Sequence, residues 1–224
     1  MQSLSNPIVA AFVCISVFLV MLFLFAFVWN KTKNRFASPW SFGGLEPTDD
    51  QLIFALQTMV PRMRRKVFRP PLDSSPFQDP SPPTGERQLE EAESKLGFEL
   101  PPLLRRTYRE VGNGGFGPAY GLIGVGPGAT DSLGQDLVDG YRIRCQTDSD
   151  DRWFWPRNLL PIISVGGGTF LCADLSSAKT PILVFEPNTY TRDGPVEAYL
   201  QPCVPSLKQL LVNWLEGKET PCDA

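Results

Sequence analysis

No lysine, arginine, aspartate or glutamate occurs between Ile8 and Trp29, and a run of that kind has few ways to satisfy its backbone. In lipid every N–H and C=O must be paired within the segment, which selects a helix. At ~1.5 Å per residue the run spans roughly the ~30 Å of a bilayer's hydrocarbon core. Cys14 and Ser16 are its only mildly polar members, and Trp29 stands where an interfacial ring belongs. A cleaved signal peptide carries a basic leader and a shorter apolar core. Met1 to Pro7 holds no cation and the core is long, so the run reads as a retained anchor that touches membrane lipids. Lys31, Lys33 and Arg35 follow it directly. Cations stay on the cytoplasmic side, so the expectation is a single pass with the N-terminus outside and the C-terminal domain in the cytoplasm.

About 195 residues remain beyond the anchor, enough for one domain of common size. The formal net charge of -3, without an extended basic face, argues against a nucleic-acid partner, because such binding rests first on phosphate neutralisation. One basic cluster stands apart: Arg62, Arg64, Arg65, Lys66 and Arg69. Two readings stay open for it, a solvated helix face or contact with anionic headgroups near the anchor. The five cysteines are scattered and histidine is absent. That pattern argues against a disulfide scaffold and a structural zinc site, and it fits a reducing compartment.

Residues 30–50 read as a tether. Asp49 or Asp50 caps a helix over 51–69, with Leu52, Ile53, Leu56, Met59 and Val60 as its stripe and Pro61 as its kink or end. Residues 70–83, rich in proline, read as an extended linker without a core of its own. Thr84 is placed to cap a helix whose stripe is Leu89, Ala92 and Leu96, ended by Gly97. A second helix opens at Pro101 and Pro102, with Leu104, Tyr108 and Val111 inward. Residues 112–117, dense in glycine, must turn. Strands are expected at 120–125, 141–145, 159–165, 169–173 and 181–186, with a glycine hairpin at 166–168. Ser206 caps a last helix carrying Leu207, Leu210, Leu211, Trp214 and Leu215, stopped by Gly217. The sum is an α+β domain over 84–217, an antiparallel or mixed sheet covered by helices, followed by a tail at 218–224.

The stretch from Leu89 through Leu96-Gly97 to Leu100-Pro101, with Glu93 on the helix, then Tyr108 and the turn Asn113-Gly114-Gly115, resembles the SMI1/KNR4 domains of the SUKH superfamily. Trp155, Leu160, Ile162, Gly166, Gly167 and Asp174 resemble the family's later positions, as do Phe185, Leu207, Leu211 and Leu215. The resemblance covers roughly 84 to 217. It implies a binding module: bacterial members look like immunity proteins that neutralise toxins, and fungal members act as scaffolds linked to cell-wall synthesis. The anchor and the proline-rich segment depart from the usual short form.

Chemistry is harder to place than binding. Without histidine, Ser-His-Asp and Cys-His arrangements are excluded. Glu90, Glu91 and Glu93 read as a solvated helix face. Asp148, Asp150 and Asp151 lack the spacing of a calcium loop. The glycine turn at 112–117 lacks a phosphate-binding lysine and follows a helix, so no cofactor is expected. Its role is geometric: Gly114 or Gly115 takes a positive φ while the Asn113 amide ties the turn to backbone. For partner contact the candidates are the acidic residues Asp148, Asp150 and Asp151 with Trp153 and Trp155. Trp153, Phe154 and Trp155 are consecutive, so one of them is expected outside as a hot spot. The expectation is a non-catalytic, membrane-tethered protein-binding domain, either an immunity protein facing a toxin domain or a membrane-associated scaffold of envelope processes.

Overall fold

The computed structural model describes residues 41–64, 79–146, 155–189 and 195–218. The expected anchor at 8–29, with Lys31, Lys33 and Arg35, lies outside these. Among the described residues no helix is long and apolar enough to cross a membrane.

The chain enters through α1 (Asp49–Arg64), α2 (Glu86–Leu96), α3 (Pro102–Glu110) and α4 (Leu137–Cys145). It continues through β1 (Leu159–Gly166), β2 (Thr169–Asp174), β3 (Ile182–Phe185) and β4 (Leu200–Val204), and closes with α5 (Leu207–Leu215). The strands form a four-stranded meander in the order β1-β2-β3-β4, every pairing antiparallel. Helices α1, α3 and α5 pack on one another, α5 reaches β4, and α4 bridges α2 and β1. The expected α+β class holds, and the sheet is antiparallel throughout.

Local chemistry explains each boundary. Thr48, rather than Asp49 or Asp50, caps α1: its Oγ1 accepts from Gln51 N–H at 3.2 Å while Gln51 Oε1 accepts from Thr48 N–H at 2.9 Å. That reciprocal pair satisfies two orphan donors at once. Pro61 lies inside α1 without ending it. Gly85, not Thr84, occupies the N-cap of α2, and Gly97 at φ 83° ends it. Ser206 caps α5 as expected, its Oγ accepting from Gln209 N–H at 3.0 Å. At the β1–β2 hairpin Gly167 and Gly168 both have positive φ, which a two-residue turn matched to strand twist demands.

The expected strand at 141–145 is the end of helix α4. Five residues of alternation were too few to set the period. Asp136 decides it, because its carboxylate accepts from both Val138 N–H and Asp139 N–H and nucleates a turn. Leu137, Val138 and Tyr141 then share the buried face, and Ile143 is left outside. The expected strand at 120–125 reduces to a bridge between Leu122 and Ile163, with Ile123 N–H donating to Ile162 O at 2.8 Å.

Helix α1 is not a bystander to the domain. Leu52, Ile53, Ala55, Leu56, Met59, Val60 and Met63 are buried in the same core as Leu104, Tyr108, Leu210 and Leu211. Residues 79–84 are docked too. Ser81 N–H donates to Gly114 O, Asn113 N–H to the Ser81 and Pro82 carbonyls, and Thr84 N–H to Tyr108 O. The compact unit therefore begins well before residue 84.

Cys145 and Cys172 are free thiols, whereas Cys203 on β4 is disulfide-bonded. Cysteine scatter therefore does not argue for a reducing compartment here.

Candidate functional site

A largely buried polar arrangement sits where α4 meets β2 and Trp155. Arg144 has 13% of its side chain exposed. Its guanidinium lies over the Phe170 ring at 4.1 Å and over the Trp155 ring at 5.9 Å. Arg144 Nη1 donates to Gly140 O at 2.6 Å, one turn back along α4. The nearest counter-charge is Asp131 Oδ2, 4.0 Å from Nη2. Asp131 is itself held, since its Oδ1 accepts from Leu133 N–H and Gln135 N–H. Beside them, Gln135 Oε1 is buried without a hydrogen-bond partner. Burial lowers the pKa of Arg144, with Asp131 partly restoring it. Arginine titrates so far above neutrality that the group remains a cation, and two aromatic faces stabilise it where water cannot.

Trp155 completes the frame. It is 2% exposed, its Nε1 donates to Leu159 O at 2.7 Å, and its ring meets Phe185 edge-on at 5.1 Å. Tyr141 Oη donates to Arg157 O at 2.8 Å. Burial raises the Cys172 thiol well above its ordinary range, so it stays protonated and is no nucleophile. Burial likewise raises the Tyr141 and Tyr108 phenols.

A second charged arrangement lies on α2 and α3. Arg105 bridges Glu86 at 2.5 Å and Glu93 at 3.0 Å. Arg106 joins Glu110 at 3.0 Å and Asp50 of α1 at 2.9 Å. Glu93 Oε1 also accepts from Leu100 N–H at 3.0 Å. A carboxylate one turn before Leu96-Gly97 thus stitches the helix to the loop that leads into Leu100-Pro101. The outer face of α2 carries a solvent-open depression of about 370 Å³ lined by Arg87, Glu90, Glu91, Ser94 and Lys95. Among the described residues no group of three His, Cys, Asp or Glu is placed to hold a metal ion.

Trp155 is corrected as a partner contact: it is a core residue, because its indole N–H has an internal acceptor and its ring is walled by Arg144 and Phe185. Asp148, Asp150, Asp151 and Trp153 lie outside the described residues, as do Arg65 and Lys66. Arg62 is exposed. Arg64 is corrected as a lipid-facing cation, since Nε donates to Pro80 O and Nη2 to Ser81 O, both at 2.9 Å. The turn residues stand as expected. Asn113 Nδ2 donates to Val125 O and its Oδ1 accepts from Val125 N–H, while Gly114 and Gly115 have φ 83° and 78°. Arg144 and Asp131 were not singled out from sequence. The usable signal was Asp136, which marks a helix start and turns Arg144 inward.

Two findings bear on kinship. No curated protein matches the chain. A sequence profile described as the SMI1 / KNR4 family (SUKH-1) matches residues 83–212, more than half of the chain. The match spans the Glu93-stitched helix pair, the Asn113 turn, the Trp155 frame, the sheet and most of α5, so this chain belongs to the SMI1/KNR4 family (SUKH-1).

Proposed function

We propose that this protein is a non-catalytic, membrane-tethered binding domain, an immunity protein that neutralises a toxin domain. Family membership carries the reading, because SUKH domains are often toxin immunity proteins and bind their toxin partners. Two further observations support it. The sequence contains no histidine, the usual general base near neutral pH. Trp155, close in sequence to the candidate contact residues, is anchored in the core by Arg144 and Phe185, and Asp148, Asp150, Asp151 and Trp153 are the residues that contact the partner in this reading. Three carboxylates favour a partner with a basic surface, since charge complementarity speeds encounter and rejects wrong partners. The uncharged run 8–29 holds the domain at the membrane, and Lys31, Lys33 and Arg35 keep it on the cytoplasmic side.

Co-expression with the product of the neighbouring gene tests this. The expected result is rescue of growth and co-elution, both weakened at high salt and both lost in a D148N/D150N/D151N variant that melts like the parent. Normal growth on expressing the neighbour alone, or no complex at low salt, overturns the immunity reading.

A further inference from the structure

We infer that the sheet is closed to strand addition at both edges, so that neither a second copy of this chain nor an extended segment of a partner joins it, and a partner is met through side chains. Backbone donors alone carry this, whatever the partner's identity. In an antiparallel ladder successive residues turn their N–H and C=O to opposite sides. Asp174 N–H donates to Pro181 O at 2.9 Å, so Asp174 turns toward β3. By the β2–β3 register Cys172 and Leu183 then bond each other, while Ala173 and Val184 turn to the outer strands. Ala173 is opposite Leu160 on β1, and Val184 is opposite Gln201 on β4. Their chain neighbours Leu159, Pro161, Leu200 and Pro202 therefore turn their backbone away from the sheet.

Neither edge keeps a donor at those places. Leu159 N–H is spent on Pro156 O at 3.0 Å, and Leu200 N–H on Glu197 O, each three residues back. Two residues on, Pro161 and Pro202 have no N–H. The same pair of devices thus recurs on two edges built from separate stretches of chain. β1 is also covered further along, where Ile123 N–H donates to Ile162 O at 2.8 Å and Tyr120 N–H to Ser164 O at 3.2 Å. β4 has no neighbouring strand on its outer side among the described residues, and Gln201 and Pro202 are exposed. An edge of that kind is ordinarily a template for pairing. Here an incoming strand meets carbonyls without donors, so its own facing carbonyls lose water and gain no bond.

The test uses the full chain in detergent and reads residue-resolved amide hydrogen exchange and sedimentation. An ordinary edge strand leaves every second amide at the unprotected rate. In the parent, the Leu159, Leu160, Leu200 and Gln201 amides should all be protected. Pro202→Thr places one donor on the open edge. Its new amide should exchange freely in dilute solution and become protected as concentration rises, while the variant associates more than the parent. Any association through the 8–29 run is common to both chains, so the difference reads the edge. An unprotected Leu159 or Leu200 amide in the parent overturns the inference, and that measurement needs no variant to fold. Equal association of parent and Pro202→Thr, both melting cooperatively, overturns it as well.

Discussion

Replacing Gly114 by alanine separates two costs that glycine avoids. Gly114 and Gly97 share the same φ of 83°, but their surroundings differ. A Cβ on Gly97 would meet nothing within 4 Å. A Cβ on Gly114 would meet Leu122 O at 2.4 Å, Gly124 N at 2.7 Å and Ala129 Cβ at 3.1 Å. Two of those three are backbone atoms, in the loop pinned by Asn113 to Val125, so they have no rotamer by which to yield. Left-handed backbone costs an alanine ~1–2 kcal/mol, and reduced freedom of the unfolded chain returns ~0.4–1 kcal/mol. Gly97→Ala should therefore lose ~1 kcal/mol, or about 2–4 °C in a domain of this size. Gly114→Ala adds the overpacking of a rigid turn, a further ~1–3 kcal/mol, for a total near 3 kcal/mol and about 6–12 °C. Thermal melts of residues 38–224 followed by circular dichroism measure both. Equal shifts in the two variants would show that the turn relaxes, and the close-approach argument would be refuted.

Other outcomes follow from the same packing. A fragment starting at residue 83 strips α1 from the core. Burying side chains the size of Leu52, Leu56 and Met59 is worth ~1.5–3 kcal/mol each, so the loss rivals total stability, and dye binding and aggregation should report it. A cooperative melt equal to that of 38–224 would contradict this. Arg144→Lys keeps the charge but loses the planar stack on Phe170, and ~1–2 kcal/mol of stability should go with it, read by urea titration; an unchanged midpoint would discount the stack. Glu110 has its pKa lowered, first by the hydrogen bond from Arg106 and then by that from Arg109. A carboxylate depressed in the folded state contributes stability above its unfolded pKa and loses it as pH falls through the folded value. Glu110→Gln should therefore flatten the acid limb of a stability profile below about pH 4.5 and leave its slope near pH 7 unchanged. An acid limb as steep as the parent's would argue against the pair.

Much of this protein was legible as a string because the interactions concerned are local. Leu104 and Tyr108 share a face through helical period. Gly97 and Ser206 end and begin helices through groups within a turn of themselves, and Asn113 ties a loop only twelve residues long. The rest depended on neighbours distant in sequence. Residues 141–145 alternate like a strand and are helical because Asp136 caps them and Tyr141 turns inward against Phe98. Trp155 looks like an exposed anchor until Arg144 and Phe185 close on it, and Arg64 looks like a lipid-facing cation until Pro80 and Ser81 offer their carbonyls. Helix α1 reads as a helix with an apolar stripe outside the domain at 84–217, because that stripe could face anything, and only the apolar surface left open by α3 and α5 makes it part of the core. Periodicity states which side of an element is apolar; what covers that side is set by chain segments that local sequence does not encode.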